Sequence, residues 1–241
     1  MDVEAIVQSL EAQKNPKNVE GMRRFAIVTK KAFGIPAPQL KKLASVLKKR
    51  EDRHELALAL WLTEIHECRA IAALIDNPQL VTEAQMNQWS RSFDNWATCD
   101  STCGHLFSRT KFAYKKAYEW AERDGESEEF IKRAGLVLPA WLAVHDKNAP
   151  DEKIAEFLTL LESKANDDRN FIKKAVNWSL RGIGKRSMWL NGLAIETAKR
   201  INAQNTKSAR WIASNALCEL QSETVQQRIA KKIQIGKKGR L

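Results

Sequence analysis

The sequence predicts an all-α fold of stacked antiparallel helix pairs, and three observations support this. Apolar residues recur with helical spacing along most of the 241 residues. Glycine and proline are sparse, at 10 and 6 residues, and fall mainly between the periodic blocks. Few segments show the alternation or the β-branched clusters of strands. The hydrophobic content of 44% is that of a globular chain, and we expect a single domain over residues 1–241.

The helical blocks of the first half end at turn-forming residues. The segment 34–38 contains two prolines and a glycine, which break a helix. Thr82 is placed to cap the helix that follows the Asp-Asn-Pro turn at 76–78. We expect helices at 2–14, 21–32, 39–50, 54–75 with a kink near 64–67, 82–93, 96–107 and 111–123.

The second half repeats itself. Phe-Ile-Lys-Arg-Ala at 130–134 returns as Phe-Ile-Lys-Lys-Ala at 171–175, and a looser copy lies at 210–213. A period near 40 in a helical chain is typical of HEAT or armadillo repeats, although unrelated amphipathic helices also resemble one another. We therefore expect a right-handed superhelix with a concave surface, ending in a basic tail at 231–241.

The chain is strongly basic, with 40 Lys and Arg against 29 Asp and Glu and a formal charge of +11. Such an excess favours polyanions, nucleic acid first and anionic membrane surfaces second. Basic residues recur at one phase of the repeats: Lys132, Arg133, Lys173, Lys174 and Arg210. They either line the concave surface and follow a phosphate backbone, or form the solvated face of amphipathic helices.

Several functional classes are disfavoured. No apolar run reaches the length of a membrane span, and the acidic start differs from a secretion signal, so we expect a cytoplasmic protein. The cysteines at 68, 99, 103 and 218 form no disulfide pattern and are expected to stay reduced. Cys99, Cys103 and His105 lack a fourth zinc ligand, so we expect no metal and no cofactor.

Trp96 and Asp100 stand four residues apart in the segment 93–104. On a helix they share one face, so an indole and a carboxylate look the same way on a cationic protein. The simpler interpretation makes Asp94 a helix cap, Trp96 a core residue and Asp100 a solvated or capping acid. The segment Asp-Asp-Arg-Asn at 167–170 is similarly expected to cap the helix after it.

Four passages in order carry a resemblance to a known family. They are Ala-Phe-Gly-Ile at 32–35 leading into 40–44, Trp-Ala-Thr-Cys-Asp at 96–100, the 130–134 motif, and residues 171–181. Each is modest alone, but the ordered set spans most of the chain. The sequence resembles the AlkD-like DNA alkylation repair glycosylases, which are built from HEAT-like repeats.

The resemblance implies a site and a reaction. The family's essential carboxylate falls on Asp100, its tryptophans on Trp96 and Trp178, and its arginine on Arg133. The implied activity is hydrolysis of the N-glycosidic bond of N3- or N7-alkylated purines in double-stranded DNA, by a monomer associated with the nucleoid. The expected DNA contacts are Arg133, Lys132, Lys173, Lys174, Arg181 and Arg210.

Two departures from the family pattern concern substrate preference. Ala97 stands where relatives tend to carry an acid, and Phe25 is the nearest match to a frequent tyrosine. Two other functions stay open from the sequence. One is a non-catalytic repeat protein that binds damaged or branched DNA, since a fold does not fix a function. The other is a protein scaffold, which would present an apolar concave face instead of a basic one.

Overall fold

The computed structural model describes residues 1–238, with the backbone alone for Glu126 and residues 232–238. Fourteen α-helices lie within this part of the chain, and its only β-type pairing is an isolated bridge between Lys31 and Ile65. The all-α prediction is therefore confirmed. The chain divides into two compact units, an N-terminal unit (Met1–Phe112) and a C-terminal unit (Ala113–Leu241), and the single domain stays a prediction.

The N-terminal unit is built from seven helices and a short 3₁₀ turn. They are α1 (Val3–Glu11), α2 (Pro16–Arg24), α3 (Ala37–Leu47), α4 (Arg53–Leu62), α5 (His66–Ile75), α6 (Glu83–Arg91), α7 (Trp96–His105) and the turn Phe107–Arg109. Its core contains a stacked pair of indoles, Trp61 and Trp89, with ring centroids 3.9 Å apart. Phe93 and Phe107 pack around this pair, so an aromatic cluster joins α4 and α6 to the segments that flank α7.

The C-terminal unit contains the other seven helices. They are α8 (Ala113–Ala121), α9 (Glu129–His145), α10 (Asp151–Ser163), α11 (Asn170–Gly184), α12 (Met188–Ala203), α13 (Lys207–Leu220) and α14 (Glu223–Lys238). The three sequence copies begin α9, α11 and α13, which pack side by side in that order. The centroids of the Phe130 and Phe171 rings lie 5.2 Å apart, and the Asn177 side chain donates a hydrogen bond to the carbonyl of Ile212 at 3.0 Å. This stacking confirms the repetition predicted from the sequence.

The second helix corrects the sequence prediction of 21–32. It begins earlier, at Pro16, because Asn15 caps it by accepting the N–H groups of Lys17 and Asn18 at 3.1 and 3.3 Å. It ends at Arg24, since Ala26 adopts a left-handed φ of 56° that no helix continues. The amphipathic spacing beyond this point belongs to an irregular segment.

Other boundaries differ by a few residues. The kink predicted near 64–67 is a full break between α4 and α5, and Thr82 caps α6 as expected. Helices α6, α7 and α8 are shorter than predicted, because their ends are 3₁₀ or turn residues. Of the predicted tail 231–241, residues 231–238 continue α14, and 239–241 lie outside the described residues.

Candidate functional site

Helix α7 carries Trp96 at its first position and Asp100 one turn later. Asn95, fully buried, starts the helix by accepting the N–H of Thr98 on its side-chain oxygen at 2.9 Å. The expectation that Asp94 is the cap is wrong, because Asp94 instead accepts the Asn95 amide at 2.7 Å and faces Arg69 at 3.9 Å. Trp96 and Asp100 are both half-buried, so each keeps a solvent-facing part on this helix.

The indole of Trp96 is held in place by the chain after α2. Its Nε1–H donates to the carbonyl of Phe25 at 2.8 Å. Phe25 itself has 71% of its surface exposed. Its carbonyl accepts the hydrogen bond from Trp96, while its side chain is exposed to solvent. The departure noted in the sequence at Phe25 thus lies directly beside the candidate tryptophan.

Residues 25–35, which we call the strap, are anchored at their far end by a buried carboxylate. Glu67 is 1% exposed and accepts the N–H groups of Phe33, Gly34 and Ile35 at 3.0, 2.7 and 3.3 Å. Gly34 has a φ of 78°, and a Cβ there would lie 2.4 Å from the carbonyl oxygen of Asn15. Only glycine fits this turn, so Glu67 and Gly34 together fix the strap.

Sequence reasoning missed Glu67. It appeared only as part of a helix break, and its partners lie 32 to 34 residues away in the chain. The one available signal was the Phe-Gly-Ile segment, whose glycine marks a backbone position with a special φ.

His66 ties α5 to α7. Its Nδ1 lies 3.2 Å from the Thr98 hydroxyl, and its backbone N–H donates to Lys31 at 2.9 Å. Burial lowers the pKa of the imidazole, so it is neutral at physiological pH. His66 therefore acts as a structural residue at the start of α5.

In the C-terminal unit, Lys132 is buried in an ion cluster. It is 4% exposed, and its ammonium pairs with Asp124 and, at 3.0 Å, with Asp167. Asp167 also binds the Arg169 guanidinium at 2.5 Å. Burial raises the pKa of Asp167, but hydrogen bonds from Arg169 and Lys132 outweigh it and lower the pKa to about 2.

The same cluster corrects the predicted cap at 167–170. Arg169 occupies the cap position of α11 without a side-chain cap hydrogen bond. Asp167 instead accepts a hydrogen bond from the Arg169 backbone N–H at 3.1 Å. It also forms an ion pair with Lys132 of the preceding repeat. Asp167 therefore pairs with cations instead of capping the helix.

Arg133, next in the chain, is also buried, at 6% exposure. Its Nη1 donates to the Phe171 carbonyl at 2.6 Å, which joins α9 to the first turn of α11. A phosphate contact for Arg133 stays a prediction beside this structural bond.

The other predicted DNA contacts lie in different surroundings. Lys174 is exposed, and Arg210 is exposed with Nη1 bound to the Asn205 side chain at 2.6 Å. Lys173 is half-buried, with its ammonium 5.6 Å from the centre of the Trp211 ring. Arg181 pairs with Glu219. The repeat phase therefore does not give these cations one common environment.

Trp178 lines a cleft of about 720 Å³ inside the C-terminal unit. Its ring meets Trp141 edge to face, with centroids 5.4 Å apart and planes at 83°. Lys147, Lys185 and Arg228 also line this cleft. The second predicted tryptophan thus stands in a recess that combines aromatic and cationic groups.

None of the described helices is both long and apolar enough to cross a membrane. Over the same part of the chain, no group of three His, Cys, Asp or Glu side chains is arranged to hold a metal ion.

Comparison with known proteins gives the fold and the family. One solved structure superposes with a TM-score of 0.77 at 22% identity, covering 95% of this chain and 96% of that chain. It belongs to a family described as related to the HEAT-like repeat DNA glycosylases, with affinity for branched DNA structures. No curated protein matches the sequence.

The superposition confirms the HEAT-like repeat architecture predicted from the sequence. A family model for DNA alkylation repair enzymes matches residues 6–220, which is nearly the whole chain. The chain therefore belongs to the DNA alkylation repair enzyme family.

Proposed function

We propose that the protein is a DNA glycosylase that removes cationic N3- or N7-alkylated purines from double-stranded DNA. The observation that carries the proposal is the placement of Asp100 one turn after Trp96 on α7. The start of that helix is fixed by Asn95, and the indole is fixed by the Phe25 carbonyl. A carboxylate held in advance beside an aromatic surface is suited to a transition state that develops positive charge.

The chemistry requires few groups. The alkylated base already carries a positive charge, so the C1′–N bond breaks with its electron pair going to the base, which leaves neutral. The sugar becomes oxocarbenium-like, and the Asp100 carboxylate stabilises it and orients a water molecule. The water adds to C1′ and its proton passes to the solvent, leaving an abasic site. No second carboxylic acid is needed to protonate the leaving group, unlike in ordinary glycoside hydrolysis.

The tryptophans have a separate task in the proposal. Trp96 offers its face to the cationic base or sugar, a contact that contributes on the order of 1 kcal/mol. Trp178 is assigned to the same reaction by resemblance and supplies an aromatic surface in the C-terminal unit. Both indoles are half-buried, so each is partly accessible.

Binding of the DNA backbone is assigned to the cations. The formal charge of +11 supplies general attraction to phosphate. The exposed Lys174 and Arg210 are direct phosphate contacts in the proposal, with Lys173 and Arg181 beside them. Arg133 and Lys132 already bond within the protein, so their contribution to DNA binding has to be separated from their contribution to stability.

The test is release of free base from duplex DNA containing 7-methylguanine or 3-methyladenine. Asp100→Asn keeps the shape of the side chain and removes its charge, and we expect release to fall at least about 100-fold. Asp94→Asn is the matched control, since Asp94 precedes the same helix, and its rate should stay within a few-fold. Absence of release by the wild type, or equal release by Asp100→Asn, would refute the proposal.

A second candidate function is binding of branched DNA without catalysis. The structurally similar family with affinity for branched DNA supports it. Binding of a four-way junction and of its component duplex would be compared at several salt concentrations. Preference for the junction, with no base released from alkylated duplex, would establish this function in place of the first.

A further inference from the structure

The cleft around Trp178 combines two kinds of surface. One side consists of Trp178, Trp141 and Val144, and Val144 is 55% exposed. The lining also includes the cations Lys147 and Arg228, which are both exposed. An aromatic recess with positive charge at its edge suits a ligand that is flat and apolar at one end and anionic at the other.

The two indoles form a corner. Trp141 stacks on His145, with centroids 5.2 Å apart and planes at 26°, which fixes its plane. Trp178 stands nearly perpendicular to it, at 83°. Aromatic side chains can stack on any base, because every base has a π-face, so contacts of this kind do not depend on which planar group is bound.

Helix packing creates this corner. Gly182 on α11 faces Ala140 on α9, where a Cβ added to the glycine would lie 3.2 Å from the Ala140 Cβ. The missing side chain lets α11 lie close to α9 between Trp141 and Trp178. Pro139, inside α9, removes one helical hydrogen bond just before this contact.

The charges around the cleft divide into two groups. Asp151 accepts a hydrogen bond from the Arg186 Nε–H at 2.8 Å, and the Lys185 ammonium lies 2.6 Å from the Glu219 carboxylate. These charges therefore have partners inside the protein. Lys147 and Arg228 have no carboxylate within ion-pair distance among the described residues. Among the described residues, these two cations of the cleft therefore form no ion pair with a carboxylate.

We propose that this cleft binds an unpaired nucleotide of DNA, with the base against Trp141 and Trp178 and a phosphate on Lys147 or Arg228. Bases inside a duplex have both faces covered by their neighbours, so the indoles can stack only on a base that is outside the stack. Such a nucleotide is present at a branch point or bulge, or is drawn out of a duplex. The proposal rests on the proposed DNA binding but not on the chemistry of Asp100.

The test uses DNA that contains 2-aminopurine, whose fluorescence reports stacking. Three probes are compared: a duplex with one extrahelical 2-aminopurine, a duplex with the same base in a single-stranded flap, and a fully paired duplex. We expect the extrahelical and flap probes to bind about tenfold more tightly than the paired one, with quenched fluorescence in the complex. Equal affinity for all three, with no change in fluorescence, overturns the proposal.

Two variants and a matched control locate the site. The double variant Lys147→Ala/Arg228→Ala changes only exposed side chains and should remove most of the tenfold preference. Trp141→Leu should abolish the quenching. Lys207→Ala removes an exposed charge of the same unit outside the cleft and should weaken all three probes equally. If the double variant behaves like Lys207→Ala, the cleft is not the binding site.

The source of the nucleotide and the link to catalysis are resolved by the same probes. Tight binding of the paired probe, with altered 2-aminopurine fluorescence, shows that the protein draws the base out of the duplex. Preference for the extrahelical probe shows capture of a base that is already unpaired. If the wild type releases no base from alkylated duplex but still binds the extrahelical probe, the glycosylase proposal is rejected and the cleft proposal stands.

Discussion

Helices α9 and α11 begin with Phe-Ile-Lys-Arg-Ala and Phe-Ile-Lys-Lys-Ala, yet the two basic pairs lie in different environments. In α9, Lys132 and Arg133 are 4% and 6% exposed. In α11, Lys173 is half-buried and Lys174 is exposed. The α9 pair is buried because Lys132 forms ion pairs with acidic residues and Arg133 donates a hydrogen bond to the Phe171 carbonyl. A repeated sequence thus produces a repeated helix, while the neighbouring elements determine whether a charged side chain is buried and paired or exposed.

The largest expected effect comes from Lys132→Ala. Removing a buried ammonium leaves Asp167 without one of its two cationic partners, and we expect the free energy of unfolding to fall by about 3 kcal/mol. Urea unfolding measures it. Lys173→Ala, at the same position of the next repeat, is the control and should lose less than about 1 kcal/mol. Equal losses would show that the two pairs do not differ.

Arg133→Ala comes next. The guanidinium donates to the part-buried Phe171 carbonyl, and its loss should lower the free energy of unfolding by about 2 kcal/mol. Binding of duplex DNA by the same variant is measured under conditions where it remains folded. A large loss of DNA affinity with unchanged stability would mean that Arg133 binds phosphate and has no structural role.

The ion cluster should also make stability depend on acid. The folded pKa of Asp167 is about 2, below its ordinary value of 3.8, so its stabilising contribution is complete above pH 4. It is lost as the pH falls from about 4 to 2, and amounts to about 2 kcal/mol. Urea midpoints measured across this range give the slope. Lys132→Ala should flatten it, and an unchanged slope would mean that Lys132 does not hold the pKa of Asp167 down.

The smallest effect on stability is expected from Lys174→Ala. Its side chain is exposed, so the free energy of unfolding should change by less than about 0.5 kcal/mol. If it contacts a phosphate, the logarithmic salt dependence of duplex binding should decrease by about one unit. An unchanged salt dependence would place Lys174 outside the DNA interface, on the solvated face of an amphipathic helix.

Much of the fold followed from the sequence, because it depends on local patterns. Apolar spacing located the helices, Thr82 marked the start of α6, and the 41-residue spacing of two motifs placed α9 and α11. The boundary of α2 was missed because amphipathic spacing continues after Arg24, whereas the backbone at Ala26 does not. The concave basic face stays a prediction.

The site could be predicted only where its residues share one helix. Trp96 and Asp100 are related by helical spacing, so their common face was visible in the sequence. The bond from Trp96 to Phe25 joins residues 71 apart, and the bonds of Glu67 to the strap join residues 32 to 34 apart. The meeting of Trp141 with Trp178 has no local signal either, since it depends on the close approach of α11 to α9.

By itself the sequence determined the all-α class, the repeat and the positive charge, since periodicity and composition are properties of the chain. It also supplied the resemblance that singled out Asp100. Only the tertiary structure decided that Lys132 and Arg133 are buried, that Glu67 fixes the strap beside Trp96, and that Trp178 opens into an aromatic cleft. Burial and pairing of a charge depend on groups brought from distant positions, and no local pattern specifies them.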